Sequence, residues 1–346
     1  MNFDKYILSI LLLSASNLAN AQDLKLSSFV DSYYAYSTKA SNTNTEEYLT
    51  QPHRDFEPNI NLAYIRADAE NNNFRARLTL QSGSSVEANY STESKESLRY
   101  IQEAYLGYKF SDRLSLDTGI YLSHIGIETF ISKDNWAYTR LLASEFSPYY
   151  QSGARLIYDP DGPFSYQLHL LNGWQNISDV GGRTALGTQM AYQLAKRSNL
   201  VFNTFLGKES EGLRLFANLN LTLRIAEQIE LGLLADLGNQ QREDNSNDQW
   251  YTAAALIRYH FSSKLRLVTR IEYYSDPENA IVSTLSNKGF ETLGASVGLD
   301  YKALESLLLR IEYRSFLARD KIYRTNSTAS FSDMDSFIVA SAGYSF

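Results

Sequence analysis

The chain contains no cysteine, so disulfides, thiol catalysis and thiolate metal sites are excluded. Its four histidines, His53, His124, His169 and His260, stand apart from one another and from any ligand-like spacing. No glycine-rich phosphate loop and no metal-ligand cluster appears. No catalytic residue, metal or cofactor is therefore expected. Basic excess is also missing: the net charge is -7, which argues against nucleic acid as a partner. Nor is there an apolar run of the ~20 residues that a transmembrane helix needs. What the chain has in plenty is aromatic residues, with 25 tyrosines and 17 phenylalanines, and long stretches that alternate at period two.

The clearest alternation is LRLFANLNLTLRI, residues 213–225. Leu213, Leu215, Ala217, Leu219, Leu221, Leu223 and Ile225 are apolar, and the positions between them are polar except for Phe216. Period two is the side-chain period of a β-strand, so one face is greasy and the other is wet. Tilted at about 45°, a run of this length spans roughly 30 Å, the hydrocarbon thickness of a bilayer. Sixteen such segments are predicted: 26–37, 59–69, 74–82, 98–110, 114–122, 149–158, 164–171, 185–194, 200–207, 213–225, 229–237, 250–261, 265–274, 289–301, 307–316 and 336–346. Their connections alternate. The odd ones run from about five to about 26 residues and the even ones from three to five. The fold class is thus all-β, a transmembrane antiparallel β-barrel with short periplasmic turns and long extracellular loops. An even strand number places both termini in the periplasm.

Residues 1–21 read as a secretory signal peptide, with Lys5 before an apolar segment and the small-x-small pattern at Ala19 and Ala21. Residues 22–346 form the barrel. The expected localisation is the bacterial outer membrane, with lipid and lipopolysaccharide as surroundings. Outward aromatics gather near the short turns, among them Tyr108, Phe110, Tyr158, Phe164, Tyr192, Tyr301 and Tyr344. Trp250, Tyr251, Tyr273 and Tyr313 are expected to form a second girdle at the other end. The last strand ends on Phe346, which resembles the terminal signal read by the barrel-insertion machinery.

With the apolar faces outward, charge points into the lumen. The expected pore-lining set is Arg75, Arg77, Glu103, Asp117, Arg155, Arg214, Arg224, Arg258, Arg270, Glu272, Arg310, Glu312 and Arg314. Two strands repeat RIEY, Arg270 to Tyr273 and Arg310 to Tyr313, with Arg and Glu on one face. Such charges can pair to stiffen the wall, select solutes, or do both. The longest connection, residues 123–148, is unusually apolar for a surface loop. It is expected to fold into the barrel mouth as a constriction, presenting Glu128, Asp134, Trp136 and Glu145 to the arginine wall.

GIYLSHIGIE from Gly119, DNW from Asp134, SPYY from Ser147 with Gly153, LNGWQ from Leu171 and RIEYYSD from Arg270 together resemble the beta-barrel porin family called OmpL-like. The resemblance covers nearly the whole mature chain and implies an outer-membrane pore. The expected function is passive diffusion of small hydrophilic solutes through a charged aqueous lumen, without enzyme activity. A homotrimer is one assembly that this reading allows. The alternatives are a barrel enzyme of the lipase or protease type, or a surface receptor or adhesin without an open pore.

Overall fold

A computed structural model describes residues 23–38, 44–93, 95–179, 181–182, 184–209, 212–325 and 330–346. The expected signal peptide lies outside the described residues. Sixteen antiparallel strands close into a barrel: β1 (Asp23–Ser37), β2 (Pro58–Glu70), β3 (Phe74–Ser82), β4 (Ile101–Ser111), β5 (Leu114–Leu122), β6 (Tyr150–Tyr158), β7 (Phe164–Leu171), β8 (Ala185–Ala195), β9 (Ser198–Lys208), β10 (Leu213–Ala226), β11 (Ile229–Gln241), β12 (Asn247–His260), β13 (Leu265–Asp276), β14 (Phe290–Lys302), β15 (Leu307–Ala318) and β18 (Met334–Ser345). The last strand pairs with the first, from Phe29 opposite Ser345 to Ser37 opposite Phe337, so no sheet edge is left open.

Alternation decides which face is which. On β10, Leu213, Leu215 and Leu219 are exposed on the outside, while Phe216, Asn218 and Asn220 are buried on the inside. The outer face is thus apolar along its length, as contact with lipid requires, and the core lies within the barrel. Tyr108, Phe110, Tyr158, Phe164, Tyr192, Phe261, Tyr301, Tyr344 and Phe346 are all exposed at the short-turn end. Neighbouring rings there meet edge-on, as in Tyr108 with Phe110 and Tyr259 with Phe261.

Several local expectations are corrected. Trp250 is not part of an outer girdle. It is buried inside, stacked on Phe216, because its parity on β12 is inward. The polar stretch 238–249 is mostly strand, since β11 and β12 pair as far as Gln241 with Asn247, leaving residues 242–246 as the turn. Asp244 and Asp248 serve that turn, accepting from Ser246 and Arg242. Residues 98 and 99 belong to the short helix α2 (Glu96–Arg99), which follows α1 (Ser84–Asn89) in the second long loop. The last long loop carries a small hairpin, β16 (Tyr323–Arg324) with β17 (Phe331–Ser332), which the alternation does not announce.

Candidate functional site

The interior is organised around the third long loop, residues 123–149. It leaves β5, crosses the lumen and returns to β6 through the single-turn helix α3 (Leu142–Glu145). Gly119 and Gly153 face each other at its base with φ of 133° and 151°. A Cβ there would lie 2.1 Å from the Ala104 carbonyl oxygen or 2.0 Å from that of Leu170, so the bend requires glycine. Ile125, Phe130, Ile131, Tyr138, Leu141 and Leu142 of the loop are buried. They pack against opposite sides of the barrel, Phe130 and Ile131 among Phe29, Leu62 and Tyr64, and Leu141 among Leu234, Ala254 and Leu256. This is why the loop is so apolar: it packs across the lumen against the inner wall.

Its polar backbone is satisfied by the RIEY strands. Arg270 Nη1 donates to the Thr139 carbonyl at 2.8 Å, and Arg270 Nη2 donates to Glu312 at 2.8 Å. Glu312 accepts from the Thr139 amide and hydroxyl, both at 2.8 Å. Glu272 accepts from the Leu142 amide at 2.6 Å and from Arg314, which also donates to the Arg140 carbonyl at 2.5 Å. Arg310 donates to the carbonyls of Ser132, Asn135 and Trp136. Charge-assisted bonds of this kind are each worth roughly 1.5–3 kcal/mol, and they leave few of the wall charges unpaired.

The expected partnership of loop acids with wall arginines is therefore corrected. The arginines bind loop carbonyls. Glu128 accepts from the Leu141 amide within the loop itself, and Glu145 accepts from the amide and hydroxyl of Thr50 in the first loop. Asp134 is exposed, and Trp136 lies half-buried with the Arg258 guanidinium 4.2 Å above its ring. The wall glutamates, not the loop ones, answer the wall arginines. Orientation explains the difference: a loop that crosses a barrel as an irregular strand turns its carbonyls toward donors, and unmet carbonyls cost more than relocated side chains.

The bridging depends on a small residue between two large ones. Glu272 on β13 and Phe316 on β15 lie in one row with Gly294 on β14. A Cβ at Gly294 would sit 2.8 Å from Glu272 Cγ and 3.1 Å from Phe316 Cδ1. Without it, side chains two strands apart meet above β14. Gly238 plays the same part between Phe216 and Trp250. This also explains the one apolar inward residue of the 213–225 run.

The remaining expected residues are distributed as follows. Arg75, Arg77, Glu103, Asp117, Arg155 and Arg258 are inward, toward the short-turn half, and paired with one another or with Asp68 and Glu230. Arg224 donates to the Glu227 carbonyl at the β10–β11 turn. Arg214 lies between the rings of Trp174 and Trp250 and donates to Gln240 at 2.7 Å. It lines a cleft of about 350 Å³ with Glu145, Phe146, Trp174 and Glu209 on the long-loop side. Sequence reasoning missed Thr139, Arg66, Arg266, Asp300 and Glu230, all of which join these pairs. The last four have inward parity, a usable signal, but apolar inward neighbours such as Leu62 and Tyr64 blur it.

The histidines do not assemble a hydrolase centre. His124 and His169 stack at 4.1 Å, and His124 contacts Gln151 and the Thr204 carbonyl. Among the described residues, no group of three His, Cys, Asp or Glu is placed to hold a metal.

Solved structures resemble this barrel over nearly its whole length. A trimeric form of in-vitro folded OmpT from Vibrio cholerae aligns with a TM-score of 0.64 at 10% identity, covering 94% of this chain and 99% of that one. An anion-selective porin from Comamonas acidovorans gives 0.62 at 11% identity, covering 94% and 99%. The outer-membrane channel DcaP of Acinetobacter baumannii gives 0.61 at 13% identity, covering 94% and 97%. At these identities the likeness is one of fold. No curated protein matches the sequence. The family profile matches residues 23–346, the whole barrel with its inner loop, and the chain belongs to the outer-membrane barrel family described as "Putative beta-barrel porin-2, OmpL-like".

Proposed function

We propose that the protein is an outer-membrane channel through which small hydrophilic solutes diffuse passively, narrowed by its third loop. The observation that carries this reading is the composition of the inner wall beside the seated loop. There Arg75, Arg77, Arg155, Arg258 and Arg266 keep part of their side chains open to water, although each is ion-paired. A wall that only sealed a solid core would bury such groups or replace them with apolar ones. Polar lining that stays wet is what a hydrated solute needs to pass.

In this reading the short turns and both termini face the periplasm and the long loops face outward, within lipopolysaccharide. Phe346 is the contact for the insertion machinery. The homotrimer is the favoured assembly, since a neighbour of the same fold is described as a trimer. Reconstitution in a planar bilayer tests the reading. Stable, ohmic conductance steps are expected from protein whose folded state is checked by heat-modifiable gel mobility. A folded barrel that never conducts would instead be a closed receptor, adhesin or enzyme.

A further inference from the structure

Two arrays of charge lie between the seated loop and the short turns. In the first, Asp117 on β5 shares a register row with Gly107 on β4 and Arg155 on β6, and Arg75 on β3 faces Gly107. A Cβ at Gly107 would sit 2.3 Å from Asp117 Oδ1 and 2.6 Å from Arg75 Cγ. The missing side chain lets Arg75 reach across. Arg75 Nε donates to Asp117 Oδ1 at 2.8 Å, and Arg155 Nε donates to Oδ2 at 2.9 Å. In the second, Asp300 on β14 is flanked in register by Arg266 on β13 and Arg310 on β15. Arg310 Nε lies 2.8 Å from Asp300 Oδ1, and Arg266 Nη2 lies 3.7 Å from Oδ2. Each carboxylate thus sits between two guanidinium groups, and each triplet carries a net positive charge.

Burial sorts the two signs. The Asp117 side chain is 0% exposed, whereas Arg75 keeps 27% and Arg155 19%. Asp300 keeps 6% against 24% for Arg266, while its nearer partner Arg310, at 3%, is buried against the loop carbonyls, so Arg266 is the group this array shows to the lumen. Glu103 beneath Arg66 and Arg77, and Glu230 beneath Arg258, repeat the order. Of the acids in these groups, Asp68 is the one left substantially in view, at 33%. β5 and β14 are nine places apart one way around the ring of sixteen and seven the other, so the arrays face each other across the lumen. A solute passing between them meets Arg75 and Arg155 on one side and Arg266 on the other, with the carboxylates of Asp117 and Asp300 withdrawn behind them. Fixed charge acts over a Debye length of about 8–10 Å at physiological salt, the scale of such a lumen. Guanidinium also presents paired donors suited to oxyanions.

We propose that these arrays make the short-turn half of the lumen a vestibule that concentrates small anions, carboxylates and phosphates above all. The inference rests on the channel reading and adds its preferred solute class. The test is the reversal potential of the purified, bilayer-reconstituted protein in a potassium chloride gradient. The parent should pass chloride in preference to potassium. Arg75→Gln with Arg266→Gln leaves Asp117 and Asp300 each one arginine partner, and should lower the chloride-to-potassium permeability ratio by about twofold or more. Asp68→Asn should raise the ratio. Arg113→Gln, in an exposed turn where Arg113 pairs with Asp161 outside both arrays, should leave it unchanged. A parent that prefers potassium, or an Asp68→Asn protein with an unaltered ratio, overturns the anion proposal even if the double variant fails to fold. Folded protein without any conductance overturns instead the channel reading beneath it.

Discussion

Gly294→Val separates the role of the glycine row from the intrinsic preference of a strand. Valine is the better strand former, by at most about 1 kcal/mol. At this position its Cβ would meet Glu272 Cγ at 2.8 Å and Oε1 at 2.8 Å. Glu272 cannot simply swing aside, because it is held by the Leu142 amide and by Arg314. Displacing it breaks a buried charge pair and frees an amide, a loss of roughly 3–5 kcal/mol. Sterics therefore outweigh propensity by several-fold. The barrel itself, held by sixteen ladders, should still form and keep its heat-modifiable mobility. The loop should come loose: at about 1.4 kcal/mol per decade, amide exchange over residues 139–146 should quicken by roughly 10² to 10³. Single-channel conductance should rise with it. Unchanged exchange at Leu142 in a folded Gly294→Val protein would refute the idea that position 294 is kept small so that β13 can hold the loop.

Three further outcomes follow from the fold. Tags inserted at residues 242–246 or 319–322 should be labelled on intact cells, whereas tags at residues 71–73 or 303–306 should stay hidden until the outer membrane is opened. Leu219→Arg, on the lipid face, should lower folding stability by roughly 2–4 kcal/mol in a urea titration in liposomes, whereas Gln167→Arg, inward and half-buried, should change it little. Asn220 is unsuited to that comparison, since it is buried in an amide network with Asn218. In the first long loop, burial pushes the Asp55 carboxyl up from 3.8 to about 6, and neither of its side-chain oxygens has a hydrogen-bond partner. A raised carboxyl favours the ordered loop at low pH and loses that contribution as pH climbs through about 6. Trypsin should thus cut after Arg54 faster at pH 8 than at pH 5 relative to Asp55→Asn, and equal pH profiles would remove Asp55 from the explanation.

The barrel was legible because lipid imposes a one-sided rule. Most outward residues are apolar, so the bounds of β3, β5 and β7 can be read from alternation even with Ser82 and Thr118 on the outer face. The inside obeys no such rule. Trp250 and Phe216, inward by parity, fit there as large rings because Gly238 leaves room for them, a fact carried by three strands at once and by none separately. The same holds for the loop. Its apolar content shows that it is covered, and the inward parity of Arg270 and Glu312 shows that they face it. That the guanidinium groups take carbonyls rather than Glu128 or Glu145 depends on how the loop backbone turns, which no side-chain pattern encodes.

The seat of the third loop also sets an order of events. Thr139 is held by Arg270, 131 residues later, and Lys133 by Ser345, 212 residues later, on the strand that closes the ring. The Arg270 contact needs β13, and the Ser345 contact is available only when the final strand has arrived. Until then the loop's apolar side chains lack the cover that Phe316, Phe337 and Val339 supply, and the barrel stays open at its seam. Seating of the loop is therefore a late act of maturation, and protection of the Thr139 amide, held by Glu312 on β15, is a clock that starts when the last hairpin is in place.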